Sequence, residues 1–198
     1  LFLFGILSTG VALFLEIYAE KIFSFSLQNN IISILFRSFI VISFCEELVK
    51  WLFTYVICWK DKNFNYVYDA IVYCVFISLG FASIENLIAI LSNSGGFTLA
   101  LQRGLITVPA HAFFGIISGY YLGLAKRYEA RRWNKRKRKY IILSLLIPII
   151  VHGMFDSLLF LSSTASLLFA TALIVYLYLS SALKVVKTSS EAKKITRR

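Results

Sequence analysis

Long apolar runs alternate with short polar breaks along the whole chain. They predict six helices, over 1–18, 31–59, 66–91, 97–125, 140–161 and 163–183. A helix rising ~1.5 Å per residue needs about 20 apolar residues to cross ~30 Å of hydrocarbon. The second and fourth runs exceed that length and are expected to tilt or project from the bilayer. The breaks fall at 19–30, 60–65, 92–96 and 126–139, with a turn near Ser162. No stretch reads as an interdomain linker, a repeat or a low-complexity tract, so residues 1–198 are expected to form one domain. The predicted fold class is all-α, a polytopic integral membrane helical bundle of about six transmembrane helices.

Composition agrees with that pattern. Hydrophobic residues make up 59% of the 198 residues, and mean hydropathy is +0.75. A soluble domain of this size needs less apolar surface. The chain opens on Leu1, so its natural start is expected further upstream. The first run has no basic flank and no small-residue cleavage pattern, and it reads as a membrane helix rather than a signal peptide.

Charge sets the expected orientation. The net charge is +11, but the cations sit between apolar spans, which argues against a nucleic-acid partner. The breaks at 60–65 and 126–139 and the tail from Lys184 hold 17 of the 21 Lys and Arg residues, whereas the alternate breaks hold only Lys21. Such a bias places both termini in the cytoplasm, with the protein multi-pass in its membrane. Lys135-Arg136-Lys137-Arg138-Lys139 reads first as a topological anchor in the lipid bilayer and second as an anionic-lipid site. Cys45, Cys58 and Cys74 form no CxxC pair and read as packing thiols.

Five residues do not suit lipid: Glu46, Glu47, Glu85, His111 and His152. Ionisable groups in spans normally face a protein interior or a wet cavity and carry function there. Counting depth at ~1.5 Å per residue puts Glu46, Glu47 and His111 near the midplane. His152 lies ~2 Å, Asp156 ~8 Å and Glu85 ~10 Å outward by the same count. The constellation is expected between the midplane and the outer leaflet, in one hydrated pocket. Lys50 follows Glu46 by four residues and can offset its charge. Glu85 adds a third carboxylate, with Phe81 on its face and Asn86 beside it. His111 begins a stripe with Gly115, Gly119 and Gly123, a small-xxx-small packing seam. His152 and Asp156, at i and i+4, allow the carboxylate to orient the imidazole. Arg37 and Arg103 lie near outer span ends and read as snorkelling side chains. Glu16 and Asp69, also near span ends, suggest no chemistry.

The order Glu46-Glu47-x-x-Lys50, Phe81-x-x-x-Glu85-Asn86, His111-x-x-x-Gly115, His152-x-x-x-Asp156 resembles the PrsW family of intramembrane proteases. That family is distantly similar to the CAAX-prenyl protease and bacteriocin-processing enzymes. The likeness covers the second to fifth spans, about 130 residues. It implies a protease of the bacterial cell membrane, making the site-1 cut in a single-span anti-sigma factor, on the extracytoplasmic side. The CAAX-type enzymes carry EExxxR and FxxxH where this chain has Glu46-Glu47-x-x-Lys50 and Phe81-x-x-x-Glu85, so their metal-free scheme does not carry over directly.

The residues suggest a site for activating water, and the resemblance implies that the reaction is peptide-bond hydrolysis. In the preferred, cofactor-free scheme Glu46 or Glu47 is the general base for water and Glu85 tunes it or shares its proton. His111 and His152 then position water or stabilise the oxyanion, Asp156 orients His152, and Lys50 and Asn86 support the site. The alternative is zinc held by His111, His152 and one of Glu46, Glu47 or Glu85. Two other classes fit the same charges: a proton- or cation-coupled transporter, and a non-catalytic membrane scaffold. The absence of an internal repeat disfavours a transporter.

Overall fold

The computed structural model describes residues 1–92, 95–190 and Ile195, and among these the regular structure is all helical, with no strand. Helix α1 spans Phe2–Ile22. After a short 3-10 turn at Ser24–Leu27, one continuous helical run passes through α2 (Ile31–Phe36), a π-helical stretch (Arg37–Ser43) and α3 (Phe44–Cys58). Then come α4 (Val67–Ser92), α5 (Gly96–Ala130), α6 (Asn134–Leu161) and α7 (Thr164–Ser190). Five of these, α1 and α4 to α7, are long and apolar enough to cross a membrane. The segment expected as the second span is present as that continuous run, its helix type changing at Arg37 and again at Phe44.

Local chemistry sets the boundaries. Asn30 caps α2 by accepting from the Ser33 amide at 3.0 Å. Asp69 accepts from the Asn65 and Tyr66 amides at 2.7 Å, satisfying donors at the start of α4. Ser162, in the left-handed region with φ 43°, ends α6. Ser163 and Ser166 then exchange side-chain-to-amide bonds of 3.0 and 3.1 Å at the start of α7, a reciprocal cap. The break expected over 126–139 shrinks to three residues, 131–133. Its cations continue α5 and α6 beyond the apolar stretch, where a charged helix is tolerated. Lys126 anchors that end by donating to the Trp59 carbonyl at 2.6 Å and lying over the Trp59 ring. Four cations of the expected tail, Lys193, Lys194, Arg197 and Arg198, lie outside the described residues.

Helix contacts rely on small residues. Gly115, Gly119 and Gly123 form the expected close seam, and the helix they press on is α4. A Cβ on Gly119 would meet the Ala70 carbonyl and Ile71 Cα at 2.5 Å. On the other face of α4, Gly80 and Gly5 of α1 lie against each other, and Thr9 Oγ1 donates to the Phe81 carbonyl at 3.3 Å. Large apolar side chains such as Val56, Leu91 and Phe97 point outward, as lipid requires. Cys45, Cys58 and Cys74 are buried and unpaired, consistent with packing.

Candidate functional site

Four helices carry the site. α3 supplies Glu46, Glu47 and Lys50, α4 supplies Glu85 and Asn86, α5 supplies Arg103 and His111, and α6 supplies His152 and Asp156. The Gly115–Gly123 seam draws α5 onto α4 and sets His111 against Glu85. On α6, Gly153 leaves room for the ring of Phe39, which a Cβ would meet at 2.5 Å. That close approach lets the neighbouring His152 reach Glu47. Phe39 belongs to the π-helical stretch, whose wider turn precedes the two glutamates. Such insertions into α-helices recur at functional sites.

Glu46 and Glu47 both enter the cluster, because Lys50 lies between them. Its ammonium is 2.5 Å from Glu47 Oε1 and 3.4 Å from Glu46 Oε2. It also lies 3.2 Å from His111 Nδ1 and 4.5 Å from the Phe81 ring centre. His152 Nδ1 is 3.0 Å from Glu47 Oε1, and its Nε2 is 3.3 Å from Asp156 Oδ2 and 4.0 Å from Glu46 Oε2. The two imidazoles meet edge to face at 5.2 Å, and Phe114 stacks on His152 at 4.7 Å.

Glu85 takes a different position from the one expected. Rather than facing the two glutamates, its Oε2 is 2.7 Å from His111 Nε2, and its Oε1 accepts from Arg103 Nη2 at 2.5 Å. Arg103 Nε donates to Asn86 Oδ1 at 2.8 Å. Arg103 therefore turns into the protein instead of snorkelling, and Asn86 supports the arginine. Only the presence of a carboxylate and an amide facing it from α4 could have signalled this. Arg37 pairs instead with Glu20 at 2.9 Å. Glu16, where the sequence suggests no chemistry, lies within electrostatic reach of Glu46 and Glu85.

Where one hydrated pocket is expected, the structure shows a buried cluster of side chains. His111, His152, Lys50, Glu46 and Glu47 are only 1–4% exposed. Its edges are Glu85 and Asp156, whose side chains are 25% and 14% exposed. Buried charges persist only when paired and hydrogen-bonded, and this network pairs them.

One ligand atom each from Glu46, Glu47, His111 and His152 lies within 4.8 Å of the others. Two imidazoles with a carboxylate make a known catalytic zinc set. The donor set thus fits a divalent metal, provided the Lys50 ammonium, which shares the same space, moves aside.

Comparison with known proteins bears on this arrangement. The model of the PrsW family intramembrane metalloprotease matches residues 1–183. Protease PrsW of Halalkalibacterium halodurans is 42% identical over 129 residues, 65% of this chain and 57% of that protein. Protease PrsW of Clostridioides difficile is 31% identical over 196 residues, 98% of this chain and 80% of that protein. In Oceanobacillus iheyensis the similar protein of that name is 37% identical over 137 residues, covering 69% of this chain and 60% of its own length. The chain thus spans between about half and four-fifths of the curated relatives it matches. No solved structure matches.

Proposed function

The chain belongs to the PrsW family of intramembrane metalloproteases, and from that membership we propose that it hydrolyses a peptide bond within or beside the membrane. One observation carries the reading: two carboxylates and two imidazoles from three helices converge in a buried cluster. A purely structural cluster has little reason to hold so many titratable groups, because apolar residues of similar volume would be no less stable.

Within it Glu46 or Glu47 takes a proton from water as the oxygen attacks the scissile carbonyl carbon. The C–N bond then breaks, and the same proton is delivered to the leaving nitrogen. Asp156 holds His152 through Nε2 while Nδ1 faces Glu47. General acid–base help of this kind contributes typically ~10²–10⁴-fold. His111, His152 and one of Glu46 or Glu47 would hold a metal. Bound there, zinc would supply Lewis-acid polarisation of the carbonyl and an acidified water. The family description and the donor set favour this form over the cofactor-free one.

The proposed substrate is a single-span membrane protein of the anti-sigma-factor type, cut on the extracytoplasmic side. The family membership and the depth count support that choice. Co-expression of such substrates with the full chain tests it. Glu47→Gln should abolish the cleaved fragment, and chelation of the purified enzyme should do so reversibly. Continued cleavage by Glu47→Gln and by Glu46→Gln would remove the site assignment. Substrate-dependent proton flux in liposomes without cleavage would move the chain to the transporter class.

A further inference from the structure

We infer that Arg103 is a positioning residue, which acts through Glu85 to fix the tautomer and orientation of His111. This assignment rests on the hydrolase reading for its effect on cleavage, and on geometry alone for its effect on the imidazole.

An ammonium has only donors. The Lys50 Nζ stands 3.2 Å from His111 Nδ1, so Nδ1 must present its lone pair. The proton therefore sits on Nε2, which donates to Glu85 Oε2 at 2.7 Å. His111 is thus neutral, with its bare nitrogen turned toward the space shared by Lys50, Glu47 and His152. Any role for His111 there, as an acceptor or as a metal ligand, needs this tautomer. A carboxylate behind the imidazole commonly enforces such a choice.

Glu85 cannot hold that geometry alone. It lies at the outer edge of the cluster on a rotatable stem, a quarter exposed. Arg103 immobilises it. The planar guanidinium spans two adjacent side chains of α4, through Nη2 to Glu85 Oε1 at 2.5 Å and through Nε to Asn86 Oδ1 at 2.8 Å. With Oε1 occupied by the guanidinium, Oε2 is left for the imidazole. The fork matters as well as the charge, because a lysine cannot make two directed bonds from one plane.

The chain contains only two histidines, His111 and His152. Nitrogen-15 imidazole spectra of this 198-residue chain in detergent micelles therefore show two rings, and His111→Gln assigns them. The wild type should show His111 with a protonated Nε2 and a bare Nδ1. Arg103→Gln and Glu85→Gln should both replace that signal by a mixture of tautomers. Arg103→Lys, which keeps the charge and the fold, should restore it in part. In cleavage assays Arg103→Gln should lower kcat ~10–100-fold, the usual cost of losing such a support, with KM unchanged. In the Glu85→Gln background the same substitution should cost less than about 2-fold, as expected if it acts through Glu85.

A wild-type His111 spectrum in Arg103→Gln would overturn the assignment. So would equal fractional losses of activity in the two backgrounds, which would make Arg103 a plain clamp between α4 and α5. A tautomer change in Arg103→Gln, in a protein whose wild type cleaves no substrate, would overturn the hydrolase reading and leave the role of Arg103 standing.

Discussion

Two adjacent carboxylates in a low-dielectric interior repel each other unless a cation sits between them, and Lys50 fills that position. It reaches Glu46 and Glu47 by the i+4 and i+3 spacings that bring helical side chains together. Breaking a buried pair by removing one partner typically costs about 3–5 kcal/mol, since a charge is left stranded. Lys50→Met should therefore lower the thermal stability of the detergent-solubilised protein by that amount. Adding Glu47→Gln should recover part of the loss, giving a double mutant more stable than the sum of the single changes. Equal stability of Lys50→Met and wild type would show that the ammonium is not the counter-ion. At this scale Glu46, Glu47, His111 and His152 were legible, because ionisable groups stand out against an apolar background. The task of Arg103 was not. A cation at the outer end of a span looks the same whether its side chain reaches outward to water or inward to Glu85, and only the fold distinguishes the two.

Helices were legible from run length, and the Gly115–Gly119–Gly123 stripe announced a close contact without naming its partner. The structure identifies α4 as that partner and places His111, at the head of the stripe, against Glu85 of the same helix α4. Gly119→Ala would push a methyl group against the Ala70 carbonyl and Ile71 Cα at 2.5 Å. Overpacking of this kind costs typically 1–3 kcal/mol, and here it would also spread α5 from α4. Gly104, on the same helix, meets nothing within 4 Å. Gly104→Ala should therefore leave melting temperature and cleavage nearly unchanged, while Gly119→Ala lowers both. Matching behaviour of the two variants would mean that the seam does not set the site geometry. The π-helical stretch Arg37–Ser43 left no trace in the pattern, because Arg37-Ser-Phe-Ile-Val-Ile-Ser43 reads like any continuous apolar helix. The extra residue in its turn becomes visible only where Phe39 lies on Gly153 and α6 brings His152 to Glu47.

Across the whole molecule, the asymmetry of charge and the placement of the site make one joint statement. Cations cluster at the end of the bundle formed by the α3–α4 and α5–α6 connections, while Glu85 and Arg103 mark the opposite edge of the buried cluster. If cations stay in the cytoplasm, that edge faces the extracytoplasmic side, where the proposed cut is made. Labelling can test the orientation cleanly, because the three native cysteines are buried, with 2–7% exposure. Asn134 and Gln28 are exposed at opposite ends of the bundle. Gln28→Cys should react with a membrane-impermeant maleimide in intact spheroplasts. Asn134→Cys should react only after the membrane is opened. The reverse pattern would turn the Glu85–Arg103 edge toward the cytoplasm. A cluster opening on that side would meet the cytoplasmic flank of a single-span protein, and the proposed extracytoplasmic cut would fall even if proteolysis itself stood.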